Sequence, residues 1–194
     1  MKTKKIIIMI IALILILFPY VPISADGEKQ AVVDNPIITQ EDLQNQINDM
    51  GRDGGVITLT HDIELSSALY FPKNYQITID GDGHAFTLKP GTDTRHINVS
   101  VDNTHIILKN LRLKGNGPND IGGGISVNGS VTLDNCVVEN NYAANGGGII
   151  CTNGSVTLRN GTKIVNNKGY SYGGGIFVSS NGFLMATDSV ISDN

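Results

Sequence analysis

Apolar and polar residues alternate along short segments of the chain from Gly55 onward. The first five of these segments are residues 56–60, 63–65, 76–80, 86–88 and 96–100. Alternation with a period of two is typical of half-buried β-strands, and the Gly, Asn, Asp and Pro residues between the segments favour tight turns. Because no long helical segment separates the strands, the pattern excludes a doubly wound α/β sheet. The sequence therefore predicts an all-β domain.

A helical period precedes the first strand, at residues 39–50. Thr39 is a suitable N-cap residue, and Leu43, Ile47 and Met50 recur at intervals of four and three. The glycines that follow end the pattern. We predict a short amphipathic helix over residues 40–50 that covers one end of the β structure.

Two motifs repeat in the second half of the chain. Gly-Gly-Gly-Ile occurs at residues 122–125, 146–149 and 173–176, with spacings of 24 and 27. An aliphatic residue three positions before an asparagine recurs at spacings of 25, 26 and 27, and these motifs end at Asn116, Asn141, Asn167 and Asn194. Three short strands in each repeat cannot bury a core alone, so neighbouring repeats must stack. This predicts a right-handed, single-stranded parallel β-helix, or solenoid, with a short N-terminal capping helix.

Stacking in register places equivalent residues of successive coils in columns. Four inward apolar columns are predicted: Ile125, Ile149 and Ile176; Val127, Cys151 and Val178; Val131, Val156 and Phe183; and Leu133, Leu158 and Met185. A column of Asn110, Asn135 and Asn160 is predicted at a turn, where side-chain amides hydrogen-bond to the backbone and to one another.

The N-terminal segment has the layout of a secretory signal peptide. Lys2, Lys4 and Lys5 precede an apolar run at residues 6–18, and a short polar exit ends at Ala25. We predict a signal peptide at residues 1–25, a linker at 26–38 and the β-helix domain at 39–194. An uncleaved anchor is the alternative, because residues 6–24 are just long enough for a membrane helix of about 20 residues. We expect the protein to be secreted or exposed at the cell surface.

The net charge argues against a nucleic-acid partner, and the number of cysteines argues against a disulfide scaffold. The formal net charge is −4, and loss of the three early lysines makes it −7. An acidic chain without a basic, aromatic-rich cluster predicts no nucleic-acid partner. Cys136 and Cys151 are too few for a disulfide scaffold, and we expect buried free thiols. We expect no cofactor and no metal site.

The repeated motifs resemble those of two groups of β-helix proteins. Gly-Gly-Gly-Ile and aliphatic-x-x-Asn are similar to the Gly-Gly-Ala-Ile and Phe-x-x-Asn repeats of polymorphic outer-membrane autotransporter adhesins, with Gly for Ala and with Ile, Val or Leu for Phe. The helix, the Gly-Gly-Val-Ile-Thr-Leu segment at residues 54–59 and residues 77–84 are similar to the opening coils of the pectate-lyase-like superfamily. The resemblance covers residues 39–194 and implies a parallel β-helix. Such helices host lyases, hydrolases, adhesins and structural spacers alike.

A first candidate catalytic cluster contains Asp80, Asp82 and His84. Carboxylates beside a histidine suit acid–base or metal chemistry. The same Asp-Gly-Asp-Gly-His segment is also typical of a tight turn between strands, and we favour the turn. The four motifs of polygalacturonases, Asn-Thr-Asp, Asp-Asp, Gly-His-Gly and Arg-Ile-Lys, are absent from the sequence.

A second candidate cluster contains Lys109, Arg112 and Lys114. A uronate lyase needs cations to neutralise a carboxylate and to abstract a proton. However, Lys109 precedes Asp134 and Arg159 in an outward column of alternating sign. We favour a surface charge ladder, which contributes only tenths of a kcal/mol per pair.

Two classes of function remain open. The first is an adhesin-like or structural scaffold that binds a carbohydrate or a cell-surface protein through its regular faces. Its expected contact residues are Ser126, Ile150, Phe177 and Thr152 on the outer face of the Gly-Gly-Gly-Ile strands, because adjacent exposed apolar residues mark binding patches. The alternative is a polysaccharide lyase or glycoside hydrolase of the pectate-lyase-like superfamily, and we regard an enzyme as the less favoured class.

The last predicted coil ends at Asn194, where a further Gly-Gly-Gly-Ile strand is expected. An uncovered solenoid end exposes unpaired strand edges and the ends of the apolar columns. We expect the β-helix to continue beyond this point or to dock here on another subunit. Residues 26–194 are accordingly expected to self-associate.

Overall fold

The structure is a computed structural model that describes residues 39–50, 54–100, 103–117 and 122–194. All of these residues fall within the unit Val33–Asn194. The predicted signal peptide, the linker and the alternative N-terminal anchor lie outside the described residues. Within the described ranges, no helix is long and apolar enough to cross a membrane.

Helix α1, Gln40–Asp49, begins at a capping box. The Thr39 hydroxyl accepts a hydrogen bond from the Asp42 backbone N–H at 3.1 Å, and the Asp42 carboxylate accepts one from the Thr39 N–H at 2.9 Å. These reciprocal bonds satisfy N–H groups that the first helical turn leaves unpaired. Leu43 and Ile47 are buried. The predicted helix is confirmed.

Helix α1 covers the edge of the first coil with two glutamine side chains. Gln40 Oε1 accepts the Ser66 N–H at 2.8 Å. Gln44 accepts the Tyr70 N–H at 3.0 Å and donates to the Tyr70 carbonyl at 2.8 Å, as a neighbouring strand would. Because a bare strand edge presents unpaired N–H and C=O groups, these amides cap the solenoid.

The strands form three parallel sheets. One arm of the nine-stranded sheet contains β1 (Gly55–Thr58), β4 (Gln76–Asp80), β7 (His105–Lys109) and β10 (Ser130–Asp134). The other arm contains β3 (Leu69–Tyr70), β6 (Ile97–Val99) and β9 (Ile125–Val127). Two long strands, β13 (Ile149–Arg159) and β16 (Ile176–Ala186), belong to both arms and join them into one sheet.

The second sheet has six strands: β2 (Ile63–Leu65), β5 (Ala85–Leu88), β8 (Arg112–Lys114), β11 (Val137–Glu139), β14 (Lys163–Val165) and β17 (Val190–Ser192). The third sheet has two strands, β12 (Tyr142–Asn145) and β15 (Lys168–Tyr172). Each interior strand of the two larger sheets pairs with its equivalents in the coils before and after it. The architecture is a parallel β-solenoid of about five turns, which confirms the predicted fold class.

The inward apolar columns form the core. The first two columns have the predicted register, with Ile125, Ile149 and Ile176 in one and Val127, Cys151 and Val178 in the other. In the earlier coils the column side chains are almost completely buried. Each buried aliphatic side chain contributes about 1.5–3 kcal/mol, so the stacked columns supply the main stabilisation.

The predicted third and fourth columns are wrong in the last coil. Phe183 pairs with Ser155 and Met185 with Thr157, whereas Leu184 and Ala186 take the inward positions beside Val156 and Leu158. Phe183 and Met185 are therefore 61% and 49% exposed. The cause is a β-bulge: one residue lies between Cys151 and Asn153 on β13, but two lie between Val178 and Asn181 on β16. One extra residue moves every following side chain to the opposite face.

The Gly-Gly-Gly runs stack directly on one another just before β9, β13 and β16. The Ile125 N–H donates to the Gly148 carbonyl at 2.9 Å, and the Ile149 N–H donates to the Gly175 carbonyl at 2.9 Å. A Cβ atom on Gly124 would lie 2.2 Å from the Gly148 oxygen. The coils approach too closely here for a side chain, which explains the repeated glycines.

Candidate functional site

Asp80, Asp82 and His84 lie in one turn but do not converge on a common point. The Asp80 carboxylate accepts the Asp82 backbone N–H at 3.0 Å, which fixes the turn. His84 Nδ1 lies 3.4 Å from the Asp62 carboxylate instead. The same Asp62 oxygen accepts the Ala85 N–H at 2.9 Å. This geometry is the tight turn that we favoured from the sequence.

The three cations of the second cluster face different partners. Lys109 Nζ lies 3.8 Å from the Asp80 carboxylate, and Arg112 Nη1 donates to Glu139 at 2.7 Å. Lys109 belongs to β7, whereas Arg112 and Lys114 belong to β8 on another sheet. A lyase site needs cations directed at the carboxylate of its substrate. Here two of the three are engaged by carboxylates of the protein itself.

Polar side chains of successive coils are hydrogen-bonded to one another at the turns that follow β7, β10 and β13, and we refer to these side chains as the polar ladder. Arg159 Nε donates to the Asp134 carboxylate at 2.8 Å, and Asn160 Nδ2 donates to the other oxygen of the same group at 2.8 Å. Asn135 Nδ2 donates to Asn110 Oδ1 at 2.8 Å. The three asparagines have φ of 49°, 53° and 54°, which Asn tolerates better than most residues. The predicted stacking of the Asn column is confirmed, but Asn110 and Asn160 donate to the carboxylates of Asp80 and Asp134 rather than to the backbone or to another asparagine. These bonds hold adjacent coils together.

Cys136 and Cys151 are buried and unbridged, as predicted. Burial raises the pKa of the Cys136 thiol to about 11 and also raises the pKa of Cys151. Reactive cysteines have a lowered pKa instead. No group of three or more potential metal ligands is present among the described residues.

The predicted contact residues Ser126, Ile150 and Phe177 form one outward column across β9, β13 and β16. All three side chains are half-buried. Thr152 is also half-buried, and its hydroxyl donates to Asn128 Oδ1 of the preceding coil. The Thr152 hydroxyl is therefore engaged by another residue of the solenoid. Phe177, in contrast, packs beside a group of tyrosines.

The third sheet concentrates aromatic side chains. Of the six tyrosines, Tyr142 lies on β12, and Tyr170 and Tyr172 lie on β15. The Tyr142 and Tyr170 ring centroids are 6.4 Å apart, and the Tyr172 ring lies 5.9 Å from the Phe177 ring. Tyr170 and Tyr172 are 50% and 65% exposed. We refer to Tyr142, Tyr170, Tyr172 and Phe177 as the aromatic patch.

A groove of about 580 Å³ adjoins the aromatic patch. Its lining includes Tyr142 with the polar residues Asn140, Asn166, Lys168 and Asp193. Within the described part of the chain, the side-chain amides of Asn140 and Asn166 have no hydrogen-bond partner. The groove therefore offers unused donors and acceptors beside exposed rings.

The Arg95 side chain connects the third sheet to an earlier coil by hydrogen bonds. Its Nη1 and Nη2 atoms donate to the carbonyls of Gly146 and Asn145 at 3.3 and 3.2 Å. The side chain passes Gly123, where a Cβ atom would lie 2.5 Å from Nη1. Burial lowers the pKa of Arg95 to about 10, so the group stays charged at neutral pH. The strand that carries Tyr142 is thus held at its end.

His96, the residue after Arg95, is completely buried. Its Nε2 atom lies 3.2 Å from the Lys114 carbonyl, and its Nδ1 atom has no partner in the described structure. Burial lowers the pKa of His96 to about 4. The ring is therefore neutral at physiological pH and belongs to the core.

The aromatic patch and the groove were not predicted from the sequence, apart from Phe177. The segments that form β12 and β15 lie between the Asn and Gly-Gly-Gly motifs, where only a loop is apparent. The available signal was the Gly-Tyr-Ser-Tyr-Gly segment at residues 169–173. Two tyrosines two positions apart share one face of an extended strand.

Comparisons of the chain with protein families, with curated proteins and with solved structures found no match. The candidate site is therefore identified by its geometry alone.

Proposed function

We propose that the protein is an exported, adhesin-like β-solenoid that binds a ligand at its aromatic patch. The observation that supports this proposal is the exposure of Tyr170 and Tyr172, at 50% and 65%, on one short strand. Monomeric proteins rarely expose large aromatic groups side by side unless they bind something there. Tyrosine also supplies a large contact area at a low cost in side-chain entropy.

The scaffold suits binding because it holds the patch in a fixed position. Tyr142 and Lys168 pair across the third sheet, and Arg95 fixes the end of β12 through two carbonyls. A preorganised surface loses little entropy when a ligand binds. Rigid presentation therefore favours a binding module.

The sequence supports the location and the class of the protein. The segment at residues 1–25 resembles a signal peptide, which favours secretion or display at the cell surface. The resemblance to autotransporter adhesin repeats and to the pectate-lyase-like superfamily favours a carbohydrate or a cell-surface protein as the ligand. The expected self-association through the last coil stays a prediction. No feature of the described residues favours the enzymatic alternative, because neither candidate cluster converges on a point.

The test removes the exposed rings and measures adhesion. Purified protein is applied to immobilised cellulose, chitin, pectin, collagen and fibronectin, and the variant Tyr170→Ala/Tyr172→Ala is compared with Tyr70→Ala. Tyr70 is a matched control because it is 53% exposed and lies on β3. We expect the double variant to lose adhesion and the control to retain it. Full adhesion by the double variant would contradict the proposal.

A separate assay addresses the enzymatic alternative. The protein is incubated with polyuronates and with neutral polysaccharides, with and without calcium, and new unsaturated or reducing ends are measured. We expect no turnover. Turnover that Asp82→Ala or Lys109→Ala abolishes would replace the binding proposal with a lyase or hydrolase.

A further inference from the structure

Two asparagines of the groove differ from the bonded asparagines of the neighbouring columns. Asn140 and Asn166 follow the paired residues Glu139 and Val165, so they occupy equivalent positions in successive coils. Both have left-handed backbone conformations, with φ of 55° and 56°. Their side-chain amides are without partners in the described structure and line the groove. Two carboxamides are thus presented one coil apart, at a spacing of about 4.8 Å.

Aromatic rings of two successive coils stand beside these amides, at non-equivalent positions, because Tyr142 is in register with Lys168 rather than with Tyr170. Tyr142 lies two residues after Asn140, and the Tyr170 ring of the next coil lies 6.4 Å from the Tyr142 ring, tilted by 52°. Lys168 Nζ lies 5.8 Å from the centre of the Tyr170 ring. The groove and the adjoining Tyr170 ring therefore combine ring surfaces with groups that both donate and accept hydrogen bonds.

The charge of the groove narrows the class of ligand. Lys168 and Asp193 are its charged side chains among the lining residues, one of each sign. A polyanion such as a polyuronate or a phosphorylated peptide needs a surplus of cations. An amphipathic peptide helix needs an apolar groove, which amide-lined walls do not provide. A neutral ligand rich in hydroxyl groups fits this combination.

We propose that the groove and the adjoining aromatic patch bind a neutral oligosaccharide chain. The inference rests on the proposed binding function and names its ligand class and its contact residues. Sugar hydroxyls pair with the carboxamides of Asn140 and Asn166, and the apolar C–H faces of the sugar rings pack on Tyr142 and Tyr170. The two carboxamides lie at equivalent positions of successive coils, and the two rings also belong to successive coils, so the chain runs along the axis of the solenoid.

The experiment titrates the purified protein with cellohexaose, xylohexaose and N-acetylchitohexaose. Hexagalacturonate serves as an anionic probe of similar length. Backbone amide shifts are followed by NMR, and affinities are measured by calorimetry. We expect at least one neutral hexamer to shift signals of β12 and β15 at millimolar concentration, and hexagalacturonate to bind more weakly.

The variants Asn140→Gly and Asn166→Gly test the carboxamides directly. Glycine adopts positive φ without strain, so each substitution removes the amide and keeps the backbone. We expect each variant to bind about three- to tenfold more weakly, as expected for one lost hydrogen bond. Tyr142→Ala should weaken binding by about tenfold. Asn74→Gly, with φ of 62° on an exposed turn, and Tyr70→Ala are the controls and should bind normally.

Each outcome decides between the two proposals. If no hexamer binds but adhesion to collagen or fibronectin depends on Tyr170 and Tyr172, the ligand is a protein, and only the oligosaccharide inference is overturned. Tighter binding of hexagalacturonate overturns the assignment of a neutral ligand. Normal binding by both asparagine variants overturns the assigned contacts. Failure of both the titration and the adhesion assay overturns the binding function as well.

Discussion

Two corners of the same coils use asparagine in the same backbone conformation for different purposes. At the ladder corner, Asn135 and Asn160 have φ of 53° and 54°, and at the groove corner, Asn140 and Asn166 have φ of 55° and 56°. The ladder amides bond to the neighbouring coil, whereas the groove amides have no partner in the described structure. The conformation explains why asparagine occurs at both corners. Only the hydrogen bonds of the side chain separate a structural residue from a candidate binding residue.

The difference arises from the residues that precede each corner. The ladder strand β10 ends in Asp134, whose carboxylate accepts a bond from Asn160 at 2.8 Å. At the groove corner the preceding residues are Glu139, which pairs with Arg112 at 2.7 Å, and the apolar Val165. In the described structure the Glu139 carboxylate is thus engaged by Arg112 and not by Asn166, and Val165 offers no side-chain acceptor. The comparison yields four predictions.

The largest effect is expected in the core that both corners share. Leu133 is fully buried near the end of β10, and Leu133→Asp would place a carboxylate there without a partner. An unpaired buried charge costs several kcal/mol, so we expect the domain to unfold. Circular dichroism should show loss of the β signal. Val137→Asp is the matched control, because Val137 lies outward between Arg112 and Lys163 and should tolerate an acidic residue. A folded Leu133→Asp variant would contradict the assigned core.

A second prediction concerns the adjacent residues Asn166 and Asn167, which should differ in their contribution to stability. Asn167 is buried, donates to the Val138 carbonyl at 3.0 Å and accepts the Asn141 N–H at 3.1 Å. Asn167→Leu leaves both backbone groups unpaired, which should cost about 2–6 kcal/mol in the free energy of unfolding. Asn166→Gly should change the stability by less than about 0.5 kcal/mol. Equal losses in urea unfolding would mean that the groove corner is part of the scaffold.

The third prediction concerns the pH dependence of stability, which the buried ring of His96 in the core should influence. Its pKa in the folded protein is about 4, below the value of 6.5 expected when unfolded. Between these values the unfolded state binds a proton that the native state does not, so stability falls as the pH decreases from 6.5 to 4. The full loss is about 3 kcal/mol. Urea unfolding across this range should be less pH-dependent for His96→Gln, and an unchanged dependence would contradict the prediction.

The smallest effect compares the two corners directly. Asn135→Gly removes one exposed hydrogen bond to Asn110 and should cost about 0.5–1.5 kcal/mol in stability without altering ligand binding. Asn166→Gly should show the reverse pattern. Both changes place glycine at a positive φ, so the backbone is equivalent. Weaker oligosaccharide binding by Asn135→Gly would show that the two corners do not differ in role.

The coil and most of its register could be predicted from the amino-acid sequence. The Gly-Gly-Gly-Ile spacing places Ile125 and Ile149 in one column, and the residues around Thr39 form the predicted helix cap. Both features depend on local signals. Alternation sets which side chains of a strand share a face, and capping involves residues three positions apart. The turn reading of Asp80 and Asp82 also followed from local chemistry.

The register of the last coil, the pairing of the amides and the position of the aromatic patch became apparent only in the folded structure. The bulge on β16 becomes apparent only when β16 is aligned with β13, and it moves Phe183 and Met185 to the outer face. Likewise, each ladder asparagine donates to a residue of the preceding coil, 25 or more residues earlier in the sequence. Alternation within one strand contains no information about its neighbour, because a shift of one residue preserves the pattern and reverses every face.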